Sequence, residues 1–263
     1  METQTNHARY EKAITHLNKA IELKPDFAIA YNRRGLVYSD KGEIDRAIED
    51  FNKAIEFKPD YAEAYSNRGG AYRMKGDYDR AIADCNRAIR LKPDYAEPYN
   101  NRAAAYRNKG EVDLAIVDYN KAIALKPDLA AAYYNRGIAY FEKDEFNLAI
   151  ADYTQAIALK PELTRAYCNR GNAYNHKGDY NRALEDFNRA IELESDLAVA
   201  YYNRGEARLH LKEWETAKSD LIVAKEQGMD IVTAFHNEYA SVSDFEEKNS
   251  VKLPEDIAAM LTS

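Results

Sequence analysis

Apolar positions recur along this chain in two alternating helical stripes, and a shift of 34 residues lays the chain on itself. The shift aligns Tyr31 with Tyr65, Tyr99, Tyr133, Tyr167 and Tyr201, and Ala47 with Ala81, Ala115, Ala149, Ala183 and Ala217. Gly35, Gly69, Ala103, Gly137, Gly171 and Gly205 fall in one column, as do Pro59, Pro93, Pro127 and Pro161. Within a unit beginning at Ala28, places 4, 8 and 11 (Tyr31, Gly35, Tyr38) have helical spacing and predict the buried stripe of a first helix. Places 20, 24 and 27 (Ala47, Phe51, Ala54) do the same for a second. Lys41-Gly42 supplies the stop between them, and Pro59 opens the next turn. Each unit therefore reads as a helical hairpin, with rings at places 4, 11 and 24 facing small residues at places 8, 20 and 27. One hairpin cannot bury its apolar face alone, so the units must stack.

Six such units are expected at 28–61, 62–95, 96–129, 130–163, 164–197 and 198–231. The last drifts, with Lys212 where the inter-helix glycine belongs and Gly228 ending its second helix early. Residues 1–27 read as a half repeat, because Glu11 to Lys24 matches a second helix only, with Ala13, Leu17 and Ala20 at its core places. The tail, 232–263, falls outside the period. Ile231, Val232, Phe235 and Tyr239 predict one amphipathic helix, and Pro254 starts another that runs through Leu261. The tail is expected to cap the array, or else to fold Leu253, Ile257 and Leu261 back into the groove as a competitor for ligand.

The pattern Tyr31-x2-Arg34-Gly35-x2-Tyr38, then Ala47-x3-Phe51, then Pro59, resembles the tetratricopeptide-repeat family in six consecutive copies. It departs at place 7, where the family usually has leucine and this chain has arginine throughout. The resemblance implies an all-α fold, a right-handed α-solenoid superhelix of antiparallel helix pairs with the first helices on its inner wall. The tetratricopeptide co-chaperones grip carboxylate tails with lysine at place 5. Asn32, Ser66, Asn100, Tyr134, Cys168 and Tyr202 stand there in this chain, so that ligand is not expected.

Each helical residue turns about 100°, so place 6 points away from the stripe at 4, 8 and 11. It carries Asn67, Asn101, Asn135, Asn169 and Asn203, with Arg33 in the first unit. Asparagine is a poor helix former, so propensity does not explain its recurrence. Its carboxamide both donates and accepts, which suits the backbone of an extended peptide. Tandem duplication alone would also copy it, although place 9, expected to be exposed, has wandered through Leu36, Gly70, Ala104, Ile138, Asn172 and Glu206. Arg73 and Arg107 in early units, and Tyr134, Ile138, Phe141 and Tyr202 in later ones, are the residues expected to select a ligand. Place 7 (Arg34, Arg68, Arg102, Arg136, Arg170, Arg204) recurs with aspartate at place 23 (Asp50, Asp84, Asp118, Asp152, Asp186, Asp220) and predicts an ion pair within each hairpin, with ligand binding as the alternative role.

Composition narrows the rest. A formal net charge of -7 argues against a nucleic-acid partner, which needs clustered Lys and Arg. Two cysteines, Cys85 and Cys168, do not make a disulfide framework or a thiol metal cage. Cys85 reads as a core packing residue and Cys168 as the more exposed of the two. His7, His16, His176, His210 and His236 show no ligand spacing and are expected to face solvent. No cofactor, no metal site and no catalytic constellation is called. The polar N-terminus has no signal-peptide core and no run is long enough to span a bilayer, so a cytoplasmic location without membrane association is expected. The function expected is a protein-protein interaction scaffold that binds an extended peptide of a partner protein. The alternative is self-assembly into a homo-oligomer through the open N-terminal edge and outer face.

Overall fold

A computed structural model describes residues 2–262, with side chains described from residue 8 onward. His7 lies outside the described side chains. The described residues form sixteen helices in succession, without a strand. They fall into two compact units, 1–135 and 136–263, taken in turn.

The first unit opens with α1 (Glu2–Leu23), whose Ile14 packs with Tyr38, Ala47 and Phe51. The hairpins α2 (Ala28–Asp40) with α3 (Ile44–Phe57), α4 (Ala62–Met74) with α5 (Tyr78–Leu91), and α6 (Ala96–Asn108) with α7 (Val112–Leu125) follow, and α8 (Ala130–Phe141) begins within it. Alanine and glycine at places 8, 20 and 27 let the paired helices approach closely. A Cβ added to Gly35 would lie 2.6 Å from a ring carbon of Phe51, so the ring fills the space that a side chain would need. At place 15 the chain reverses through left-handed backbone, at Gly42, Gly76 and Gly110.

The second unit holds the remainder of α8 with α9 (Phe146–Leu159), then α10 (Thr164–His176) with α11 (Tyr180–Leu193), and α12 (Ala198–His210) with α13 (Trp214–Glu226). The left-handed turn persists where glycine does not: Asp144 has φ 58° and Lys212 φ 63°. The tail adds α14 (Ile231–Glu238), α15 (Val242–Asn249) and α16 (Glu255–Met260). Leu253, Ile257 and Leu261 are buried against Leu221, Ile231, Phe235 and Phe245, and Lys218 pairs with Asp256 at 2.6 Å. These three residues thus complete the terminal core and are not ligands of the groove, because the apolar face of α13 has no following hairpin to cover it. The helix α15 has no counterpart in the sequence reading. The side chain of Ser241 caps it by accepting from the Asp244 N–H at 3.1 Å.

In all six hairpins the place-7 arginine meets the place-23 aspartate with two parallel bonds. Arg34 Nε and Nη2 donate to Asp50 at 2.7 and 2.6 Å, and Arg204 does the same to Asp220 at 2.9 and 2.6 Å. The bond to Asp50 raises the pKa of the Arg34 guanidinium above its ordinary value, against the opposing effect of burial. The third nitrogen reaches the preceding second helix: Arg34 Nη1 donates to Asn18, Arg102 Nη1 to Asn86, and Arg170 Nη1 to Thr154 at 2.9 Å. Each of these arginines therefore joins three helices, which a leucine could do only through packing.

Candidate functional site

The face under consideration is the row of first-helix residues at places 5, 6, 9, 12 and 13. All five asparagines at place 6 are half-buried, and Arg33 is exposed. In the first unit their amides are held by the neighbouring repeat. Asn67 Nδ2 donates to Asn32 Oδ1 at 3.0 Å, Asn135 Nδ2 to Asn100 Oδ1 at 3.1 Å, and Asn101 Nδ2 to the Ser66 carbonyl at 3.2 Å. Successive first helices are thus stitched together from place 6 to the preceding place 5. Each of these three carboxamides is fixed through its nitrogen and keeps its Oδ1 for another donor.

Place 5 consequently lies between first helices and does not stand on an open wall. Asn32 and Ser66 are buried, Cys168 is 6% exposed and Tyr202 4%. Tyr202 is therefore corrected from ligand selector to core: it packs with Leu209, Ile231 and Phe235 under the terminal helices. Cys168 is likewise corrected from exposed to buried, packed with Ala190 and Ala200. Burial pushes its thiol up to about 12, as it does that of Cys85, which leaves both as poor nucleophiles. No column of the sequence signalled this, since asparagine stands at place 5 both in the unit that Tyr61 closes and in the unit that Leu129 closes. Asn32 meets Tyr61, its Nδ2 donating to the Tyr61 hydroxyl at 3.3 Å, whereas Cys168 has Leu197 packed beside it.

Among the expected selectors, Ile138 and Phe141 do come together. With Asn169, Asn172, Glu142 and the buried Tyr153 they line a cleft of about 200 Å³ in the second unit. Phe141 also meets Phe146 and His176 edge to face, with ring centroids 5.3 and 5.1 Å apart. Tyr134 is half-buried at place 5. Arg73 and Arg107 in the first unit are half-buried at place 12, and the Nε of Arg73 is buried without a hydrogen-bond partner.

The far end of this face differs from expectation. Glu206, at a place read as exposed, is 5% exposed and accepts from the Tyr239 hydroxyl at 3.2 Å. His210 does not face solvent: it stacks on Tyr180 with centroids 4.3 Å apart and planes 8° from parallel, and its Nε2 lies 3.2 Å from the Tyr239 hydroxyl. The tail causes both changes by covering α12. Burial keeps His210 below the ordinary imidazole range and lifts Glu206 well above the carboxylate range, with a hydrogen bond and repulsion from Glu238 adding to the latter. His16, His176 and His236 are exposed.

Within each unit, stacked helical hairpins that present one helix of each pair on a common face define an α-solenoid of repeats. The chain belongs to the tetratricopeptide-repeat proteins. Sequence models described as "TPR repeat" match residues 9–42, 37–76 and 105–144, and models described as "Tetratricopeptide repeat" match 62–95, 85–117, 130–163 and 164–197, so that together they run from residue 9 to residue 197. No curated protein matches the chain. Among solved structures, the anaphase-promoting-complex hetero-tetramer Cut9-Hcn1 superposes with a TM-score of 0.77 at 21% identity, covering 86% of this chain and 45% of that one. This chain thus spans under half the length of that neighbour. MamA matches at 32% identity and a TM-score of 0.52, over 61% of this chain and 94% of its own. YrrB, a TPR protein with an unusual peptide-binding site, matches at 24% identity and a TM-score of 0.51, over 75% and 97%. Among the described residues no helix is long and apolar enough to cross a membrane.

Proposed function

We propose that this repeat scaffold binds an extended segment of a partner protein along its first-helix face, with the asparagines at place 6 gripping the segment's backbone and the Ile138–Phe141 cleft taking an apolar side chain. The observation that carries this reading is the fixed geometry of the ladder. Asn67, Asn101 and Asn135 spend one N–H on the preceding repeat, at 3.0 to 3.2 Å, and are oriented before any ligand arrives. Ordering a free asparagine costs side-chain entropy on binding, and a pre-set carboxamide avoids most of that cost. A backbone carries an N–H and a C=O at every residue, so a repeated carboxamide serves any sequence while the cleft discriminates.

The test begins with random peptides displayed against the full chain, followed by titration of an enriched peptide into wild type and into the triple variant Asn101→Ala, Asn135→Ala, Asn169→Ala. At about 1 kcal/mol for each lost hydrogen bond, the triple variant should bind on the order of 100-fold more weakly. Unchanged affinity at matched helicity would sink the ladder. A second reading, self-assembly, draws on Leu114 and Val117 of α7, which are 50% and 63% exposed. Sedimentation that is independent of concentration removes it.

A further inference from the structure

Between the end of the first-helix face and the terminal helices of the second unit lies a cavity of about 250 Å³. A water's share of the liquid is about 30 Å³, so the space holds several waters or one long side chain. Its base is Glu206 of α12 and its side the stacked pair Tyr180 and His210; Glu238, Tyr239 and Asn249 close it from the terminal helices. Asn172 lines both this cavity and the Ile138–Phe141 cleft, so the two are neighbours.

Glu206, Glu238 and Asn175 bring acceptors to the lining. Glu206, 5% exposed, has only the Tyr239 hydroxyl, at 3.2 Å, and the neighbouring acid Glu238 for company. Asn175 gives its Nδ2 to the Asn203 carbonyl at 3.3 Å, and its Oδ1 is buried and accepts nothing. The one lysine on the lining, Lys248, is already bound to Asp244 at 2.9 Å and is 57% exposed. Two carboxyls and an orphaned carbonyl oxygen beside aromatic faces suit a cation with several donors. A guanidinium supplies five N–H groups in a plane and stacks on aromatic rings, which an ammonium does less well.

We propose that this cavity is an arginine pocket, receiving the guanidinium of a partner segment that lies along the first-helix face, with Glu206 as the buried counter-charge and Tyr180 and His210 as the stacking wall. The proposal deepens the peptide-binding reading and rests on it for the source of the arginine, though not for the pocket's chemistry. Because the carboxyl of Glu206 is held well above its ordinary pKa in the free protein, a bound cation must displace its proton. Affinity should therefore rise with pH, with Glu238, Tyr239, Tyr202, Tyr180, His176, His210 and Lys248 as the other titratable groups facing the site.

The test uses the isotope-labelled full chain and Nα-acetyl-arginine-N-methylamide, followed by amide chemical shifts. Saturable shifts are expected at residues 206, 210, 239 and 249, absent with the acetyl-norleucine analogue and weakened tenfold or more by Glu206→Gln. Tyr180→Leu provides a second variant, expected to weaken binding several-fold, should Glu206→Gln perturb the fold. Equal shifts with norleucine, no saturation, or insensitivity to both variants overturns the proposal. A capped lysine that binds as tightly as the arginine overturns the guanidinium assignment. The triple asparagine variant separates the two readings. If displayed peptides bind in a ladder-dependent way while capped arginine does not bind, the groove stands and the pocket falls. If capped arginine binds both proteins alike and peptides ignore the ladder, the pocket stands alone.

Discussion

The first and second units solve the same packing problem with different chemistry. In residues 1–135 the seam between first helices is polar: Asn32 with Tyr61, Asn67 with Asn32, Asn101 with Ser66. In residues 136–263 the equivalent slots hold Cys168 against Ala190 and Ala200, and Tyr202 against Leu209 and Ile231. The first seam is closed by satisfied hydrogen bonds and the second mainly by apolar packing. The backbone repeat tolerates either solution. The face thus diversifies without disturbing the hairpins, because the shared Arg–Asp pairs lie on another side.

The comparison can be broken most forcefully at what the units share. Asp118→Ala in the first and Asp186→Ala in the second should each cost about 3 to 5 kcal/mol, since either leaves a sequestered guanidinium without its partner. Denaturant midpoints would check this, and a markedly smaller loss in one unit would show that the two do not rely on the pair equally. Next come the seams. Cys168→Ser places a hydroxyl in an apolar slot and should cost about 1 to 3 kcal/mol, whereas Ser66→Cys removes an acceptor of the Asn101 amide and should cost about 1 kcal/mol. A loss from Cys168→Ser well below that from Ser66→Cys would mean that the second seam is not apolar.

A finer distinction is pH dependence. The folded protein holds Glu206 protonated well above the pKa of its unfolded carboxyl, so the native state binds more protons between those two values. Stability present below the unfolded pKa is therefore lost as pH rises through the folded one. Glu206→Gln should flatten that decline, while a substitution in the first unit should leave it intact. Thermal melts across neutral pH would decide. Smallest of all, Asp144→Gly and Lys212→Gly should each stabilise by about 0.5 to 1 kcal/mol, because both residues hold positive φ where the first unit uses glycine. Melting temperatures would resolve the increments.

The hairpins were legible because a period that recurs six times averages out the noise in any one helix. The Arg–Asp pair was legible for the same reason, since two columns of opposite charge flank facing stripes. The burial of place 5 was not, because helical spacing within one hairpin says nothing of what the next hairpin places against it; that contact links residues 35 apart, such as Asn67 and Asn32. Glu206, His210 and Tyr202 were misread as accessible because α14 and α15 belong to no repeat, and an aperiodic tail has no second copy to reveal which face it covers. Of the expected selectors, Ile138 and Phe141 were found together because both follow from their places on α8 alone.

The place-7 arginine has a consequence for how the protein comes apart. Its guanidinium anchors one hairpin internally and clasps the previous one, so a hairpin cannot loosen without freeing a charged group in its neighbour. The energetic cost of opening is then shared along the array. Slow amide exchange should accordingly extend over blocks of adjacent hairpins within each unit.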